Sequence, residues 1–226
     1  GESGGQVGDQ GIISNSKCKI NIQDTQKKMG DLFVHYGTVQ KGSFEVGDSV
    51  NLEINIQKRN NSRANHSATH LLHESLRRTL GKHVTQKGSF VGPDRLRFDF
   101  SHNKPIEKDE MVKINKIVNE IVNGASDVQT RIMTPKEAVG LGALALFGEK
   151  YGDEVRVVFM GKEKNGFFST ELCGGTHVKN TKEVGEFKVI SQSSIASGIR
   201  RVEALRKKQL QDYEKSLKED KNLKEK

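Results

Sequence analysis

The chain has 226 residues, with 37 lysines and arginines against 29 acidic residues and a net charge of +8. That length allows one large or two small domains, and no run approaches the ~18–20 apolar residues of a membrane span. Only two cysteines occur, Cys18 and Cys173, which argues against a secreted disulfide scaffold and for the reducing cytoplasm; the basic balance suits a polyanion such as RNA, although solubility alone also accounts for it.

The first residue is Gly1 rather than Met, and no signal peptide follows. The opening Gly1–Asp9 is a glycine-rich turn and reads as a cut through a longer protein. Residues 1–57 read as β structure. Gly11–Ile13, Cys18–Ile22, Leu32–Gly37 and Ser49–Ile56 alternate, and Lys41-Gly42 and Val46-Gly47-Asp48 punctuate them. Short strands at this spacing predict a small barrel. His35 lies in a strand pattern and is read as structural.

Lys58-Arg59-Asn60-Asn61-Ser62-Arg63 is polar and basic, and a domain boundary is placed there. A helix follows, with Leu71, Leu72, Leu76 and Leu80 as its apolar stripe and Gly81 as its stop. It carries His66 and His70, one turn apart on one face, where two imidazoles can hold one metal ion. His73 sits near the same face and is read as a hydrogen-bonded brace rather than a ligand. His83–Val91 and Leu96–Phe100 alternate as strands about Gly92-Pro93-Asp94, and His83 and His102 are read as exposed.

A second helix is predicted from about Ile106 to Val122. Its core stripe is Met111, Ile114, Ile117, Val118 and Ile121, and Gly124 closes it. Thr134-Pro135-Lys136-Glu137 is a capping box with proline at the first helical position. It opens a short, glycine-interrupted helical stretch through Phe147. Glu154–Met160 is a strand too continuously apolar for an edge. Phe167–Leu172 leads into Cys173-Gly174-Gly175-Thr176-His177, a thiol and an imidazole four apart, where glycines permit a tight turn. Glu186–Ser191 and Gly198–Ala204 are further strands. From Leu205 the sequence becomes helical and charged, with a narrow stripe of Leu210, Tyr213 and Leu217. The fold class is therefore α+β: a small β-barrel over 1–57, a larger domain of antiparallel sheet and helices over 58–204, and a charged helix over 205–226.

His66, His70, Cys173 and His177 together form a His3Cys set suited to tetrahedral zinc. Either pair alone is weak evidence, and the two together are stronger. Four protein ligands usually mark a structural site, and the intervening Ser67-Ala68-Thr69 lacks the glutamate of the H-E-x-x-H metalloprotease pattern. From spacing alone, a structural ion and a catalytic or substrate-positioning one remain equally open.

Five stretches carry a resemblance. Glu2-Ser3-Gly4-Gly5-Gln6, Arg63-x-Asn65-His66-Ser67-Ala68-Thr69-His70-Leu71-Leu72-His73, His83-Val84-x-Gln86-Lys87-Gly88-Ser89 and Cys173–Val178, with Gly198–Ala204, closely resemble the editing region of alanyl-tRNA synthetases. The likeness covers the chain to about Ala204. The aminoacylation module and the C-terminal tRNA-binding domain of that family have no counterpart here, so the chain reads as an excised editing segment; free-standing trans-editing relatives share the motifs.

The resemblance implies hydrolysis of Ser-tRNA(Ala) and Gly-tRNA(Ala), zinc on His66, His70, Cys173 and His177, and an aminoacyl pocket lined by Thr69 and Gln86. Gln86 can orient water or substrate but cannot act as a base. Arg63, Lys87, Arg200 and Arg201 are candidates for the acceptor-end phosphates, each equally readable as a surface ion-pair partner. An RNA-binding module with a structural zinc and a zinc hydrolase of small esters are the rival readings.

Overall fold

A computed structural model describes residues 1–30, 32–144 and 152–224. Its organising element is helix α1, Ile56–Leu80. The basic stretch Lys58–Arg63, expected as a connection, forms the first turns of this helix. The reason is local: the Asn55 side chain accepts a hydrogen bond from Lys58 N at 3.0 Å and caps the helix ahead of the charged run. Arg59 then pairs with Asp9, which ties the first turn to the glycine-rich opening. Every residue from Ala64 to His73 is buried. A helix buried all round has packing on several sides, and here three motif histidines lie inside it. Gly81, at φ 121°, ends the helix, its N–H reaching Arg77 O at 3.0 Å.

An antiparallel sheet lies against α1. Its strands are β5 (Gln86–Val91), β6 (Leu96–Ser101), β10 (Phe187–Ala196) and β11 (Ile199–Arg206), in the order β10-β11-β6-β5. Helix α2, Lys108–Asn123, opens on a capping box of Glu107 and Glu110. Ile114 and Val118 are fully buried, and Met111, Ile117 and Ile121 pack beside them, so the predicted stripe is core. Leu71, Leu72 and Leu76 of α1 meet Phe98, Phe100 and Val202 of the sheet in the same cluster.

A second sheet has the order β7-β8-β9, from Gln129–Met133, Val155–Glu163 and Gly166–Leu172. Strand β8 is central, as its apolar run requires. Strand β7 was not foreseen: four of its five residues are exposed, so no buried alternation marks it. Thr134 and Glu137 form the capping box of α3, Pro135–Gly140. The helical stretch expected through Phe147 stops at Gly140: residues 141–142 turn, and Leu144 bridges to Glu171 on β9; residues 145–147 lie outside the described residues.

Residues 11–54 give the third sheet, β3-β2-β1-β4, from Leu32–Lys41, Lys19–Lys28, Gly11–Ser14 and Asn51–Ile54. It is antiparallel throughout, and among the described residues no pairing of β3 with β4 closes it into the expected barrel. His35 Nδ1 lies 3.2 Å from Thr25 Oγ1, in keeping with a structural role. Helix α4 spans Lys207–Lys224 and anchors through Leu210. No helix of the described residues is long and apolar enough to cross a membrane.

Candidate metal centre

The turn after β9 brings Cys173 and His177 against the His66–His70 face of α1. One ligand atom from each of the four residues lies within 4.8 Å of all the others. Cys173 Sγ is 3.5 Å from His66 Nε2 and 3.3 Å from His177 Nε2. Tetrahedral zinc, with bonds of ~2.0–2.3 Å, sets neighbouring donors about 3.3–3.6 Å apart. The donor set therefore suits zinc in its chemistry, and Cys173 stands at tetrahedral-edge distance from two of the histidines.

The three imidazoles are braced from outside. His66 Nδ1 is 2.7 Å from Gln6 Oε1, His70 Nδ1 is 2.8 Å from Glu171 Oε2, and His177 Nδ1 is 3.2 Å from Ser67 Oγ. Each partner can accept a hydrogen bond from Nδ1–H, which turns Nε2 toward the centre, the usual arrangement behind a metal-bound histidine. Gln6 Oε1 also accepts from Thr176 N at 3.2 Å and Thr176 Oγ1 at 2.9 Å. A single amide thus ties the glycine-rich opening to both halves of the donor set.

Arg156 Nη1 donates to Cys173 O at 3.0 Å and Gly175 O at 2.6 Å, which fixes the turn. A Cβ at Gly175 would stand 2.1 Å from His66 Cε1, so only glycine allows this backbone to pass the imidazole. At Gly174 nothing lies within 4 Å, and no such demand exists.

The electrostatics favour a cation. Glu171 is 3% exposed and accepts from His70, from His73 Nδ1 at 3.3 Å and from Ser169 Oγ at 3.2 Å. Burial pushes its carboxyl up, but the charge and hydrogen bonds of His70 and His73 win and hold it well below the usual carboxylate range. Burial likewise pushes the Cys173 thiol up; the charge of His70, with hydrogen bonds from His177, His66 and His70, brings it down to about 2. His70 is raised to about 10: burial opposes its charge, and Glu171 and Cys173 outweigh burial. His177 falls to about 3, chiefly through burial. Without metal, a proton on His70 is the cation between a thiolate and a carboxylate.

A cavity of about 280 Å³ opens beside the donors, with Ser3, Gly4, Thr69, His73, Gln86 and Arg156 among its walls. Thr69 Oγ1 donates to Asn65 O at 2.9 Å, so toward the cavity it can only accept. Gln86 Nε2 donates to Ser89 Oγ at 3.2 Å. His73, the expected brace, is held by Glu171 and is not one of the four donors.

None of the four basic residues proposed for phosphate lines this cavity. Arg63 is half-buried on α1, with no partner among the described residues, and Lys87 is exposed beside Gln86. Arg200 Nη2 donates to Gln192 Oε1 at 3.1 Å, and Arg201 forks onto buried Asp99 at 2.7 and 2.8 Å. Gln6, Glu171 and Arg156 carried no such role in the sequence reading. Gln6 did close the recognised Glu2–Gln6 stretch and Glu171 did flank the cysteine turn, the one signal that pointed to them.

Residues 155–203 match the family described as threonyl and alanyl tRNA synthetase second additional domain, and residues 1–58 match tRNA synthetases class II (A). An alanine–tRNA ligase of Parvibaculum lavamentivorans is 55% identical over 208 residues, which is 90% of this chain and 23% of that protein. Alanine–tRNA ligases of Rhodopseudomonas palustris and Mesorhizobium japonicum are each 55% identical over 210 residues, covering 90% and 91% of this chain. The chain spans about a quarter of the length of these relatives.

Proposed function

We propose that this chain, related over nine-tenths of its length to alanine–tRNA ligases, is a proofreading segment that hydrolyses Ser-tRNA(Ala) and Gly-tRNA(Ala) at a zinc-bearing centre. The observation that carries the reading is the meeting of His66, His70, Cys173 and His177 beside a cavity walled by Thr69 and Gln86. When bound, zinc would supply a fixed positive charge next to the aminoacyl ester. With all four donors engaged, an orienting role suits the ion better than the generation of hydroxide.

The chain's own groups account for selection. A pocket for alanine rejects smaller glycine by only ~1–3 kcal/mol and cannot strongly reject serine, so a second pocket is needed. Thr69 Oγ1, its proton committed to Asn65 O, accepts from a seryl hydroxyl. Alanine would set a methyl there and leave that acceptor dry, at a cost of about 1–3 kcal/mol. Glycine has no Cβ, so a water can occupy the hydroxyl's place and donate to Thr69. One acceptor thereby admits serine and glycine and disfavours alanine. Gln86 orients the attacking water through its amide.

The test is single-turnover deacylation of Ser-tRNA(Ala) with metal analysis, on wild type, Cys173→Ala and Gln86→Ala. Cys173→Ala is expected to lose zinc and activity together. Normal zinc content in that variant refutes the ligand assignment; full activity without zinc removes the metal from the reaction. Hydrolysis of simple seryl esters with indifference to the tRNA body would favour a small-ester hydrolase instead.

A further inference from the structure

The cavity beside the donors does not end at its glycine-rich wall. Ser3 and Gly4 also bound a shallower basin of about 360 Å³, whose far side is Gln26, Lys27 and Lys28 of β2. Glu2 is the one acid among its lining residues, against two ammonium groups. Lys27 pairs in register with Phe33 on β3, and its ammonium lies 5.9 Å from the Phe33 ring centroid. Phe33 is 55% exposed. Lys28 is exposed, with no hydrogen-bond or ion-pair partner among the described residues. An open aromatic face beside the Lys27 ammonium, with Lys28 next along the strand, offers stacking for a base and charge for its phosphates, the combination that single-stranded nucleic acid uses. An acidic peptide would meet the lysines but gain nothing from the ring.

We propose that Lys27, Lys28 and Phe33, at the end of the β2–β3 ribbon, hold the single-stranded 3′ end of the RNA whose terminal aminoacyl group enters the metal-side cavity. The inference rests on reading that cavity as the deacylation site: the strand crosses Ser3–Gly4, and its next bases and phosphates meet the ribbon. The net charge of +8 supplies general attraction, and the ribbon supplies the selectivity for an unpaired end.

The experiment compares two 5′-labelled RNA hairpins by fluorescence anisotropy over a range of salt, one with a four-nucleotide 3′ overhang and one blunt. The proteins are the full chain, Phe33→Ala, Lys28→Ala and Lys116→Ala, the last a charge-matched change at an exposed position of α2. Wild type and Lys116→Ala are expected to prefer the overhang. Phe33→Ala should weaken overhang binding ~5- to 100-fold, and Lys28→Ala should flatten its log–log salt slope by about 0.7. Equal binding of both hairpins by wild type, or an intact preference in both ribbon variants, overturns the proposal. Ser-tRNA(Ala) deacylation measured alongside separates the two readings. Turnover without overhang preference removes the ribbon alone, and preference without turnover removes the deacylase.

Discussion

Glu171→Gln tests how the metal centre is held. The carboxylate accepts from three donors, His70 at 2.8 Å, His73 at 3.3 Å and Ser169 at 3.2 Å. Glutamine keeps the shape but has one acceptor oxygen and a donor NH2, so it can serve His70 only by turning a donor toward the others. His70 then exchanges a charge-assisted hydrogen bond for a neutral one. Those differ by roughly 1–2 kcal/mol, or about 5- to 30-fold in zinc affinity, within the ~10–100-fold typical of losing a partner behind a ligand. Competition with chelators of graded affinity, followed with a metal indicator, reads this directly. Affinity within twofold of wild type would refute the argument that Glu171 sets the basicity of His70.

Zinc binding is expected to release about one proton between pH 7.5 and 9, because His70, raised to about 10 in the metal-free chain, must give up its Nε2 proton. The sign follows: affinity falls as pH falls. In the metal-free protein, the stabilisation from charged His70 is full below its unfolded value of 6.5 and is lost as pH rises through about 10. Calorimetry in buffers of different ionisation enthalpy measures the release, and none at all would contradict it. Arg206→Met should lower stability by about 3–5 kcal/mol, since Arg206 is 3% exposed and donates to Asn65 Oδ1, Val184 O and Asn61 O, and the change leaves the first two acceptors unpaired. That corresponds to a Tm lower by about 6–20 °C; a shift under 2 °C in a thermal melt would show that the site relaxes without it.

The four donors were legible because their spacing is short-range: four residues make one turn of α1, and four residues span one tight loop. The apolar helix stripes and most strands were legible for the same reason, as periodicity belongs to a local window. Their outer partners were not. Gln6 meets His66 across 60 residues and Glu171 meets His70 across about 100, and no local pattern encodes such a meeting. Arg200 and Arg201 show a converse ambiguity: an arginine looks alike in sequence whether it meets phosphate or a neighbour in the fold, and Asp99, the partner of Arg201, lies 102 residues away. Helix α1 began early because a single Asn55 cap outweighs the look of a polar linker, and β7 escaped because its exposed residues carry no buried face.

These long-range meetings decide what the unit of function is. The opening segment is pinned to the end of β5 by Val7 N to Val91 O at 3.0 Å and Val91 N to Gly5 O at 2.7 Å. A Cβ on Gly5 would fall 2.2 Å from Ser89 Oγ, so the approach depends on glycine there. From that position Gln6 reaches His66 and Thr176, and Ser3 and Gly4 wall the cavity. Residues 1–6 therefore complete a cluster whose four candidate donors all lie beyond residue 65. A buried imidazole N–H without its acceptor costs about 1–3 kcal/mol, and Thr176 would lose its own partner at the same time. The glycine-rich opening and the metal turn thus act as one physical site, even though a reading of polarity along the chain sets a boundary between them near residue 58.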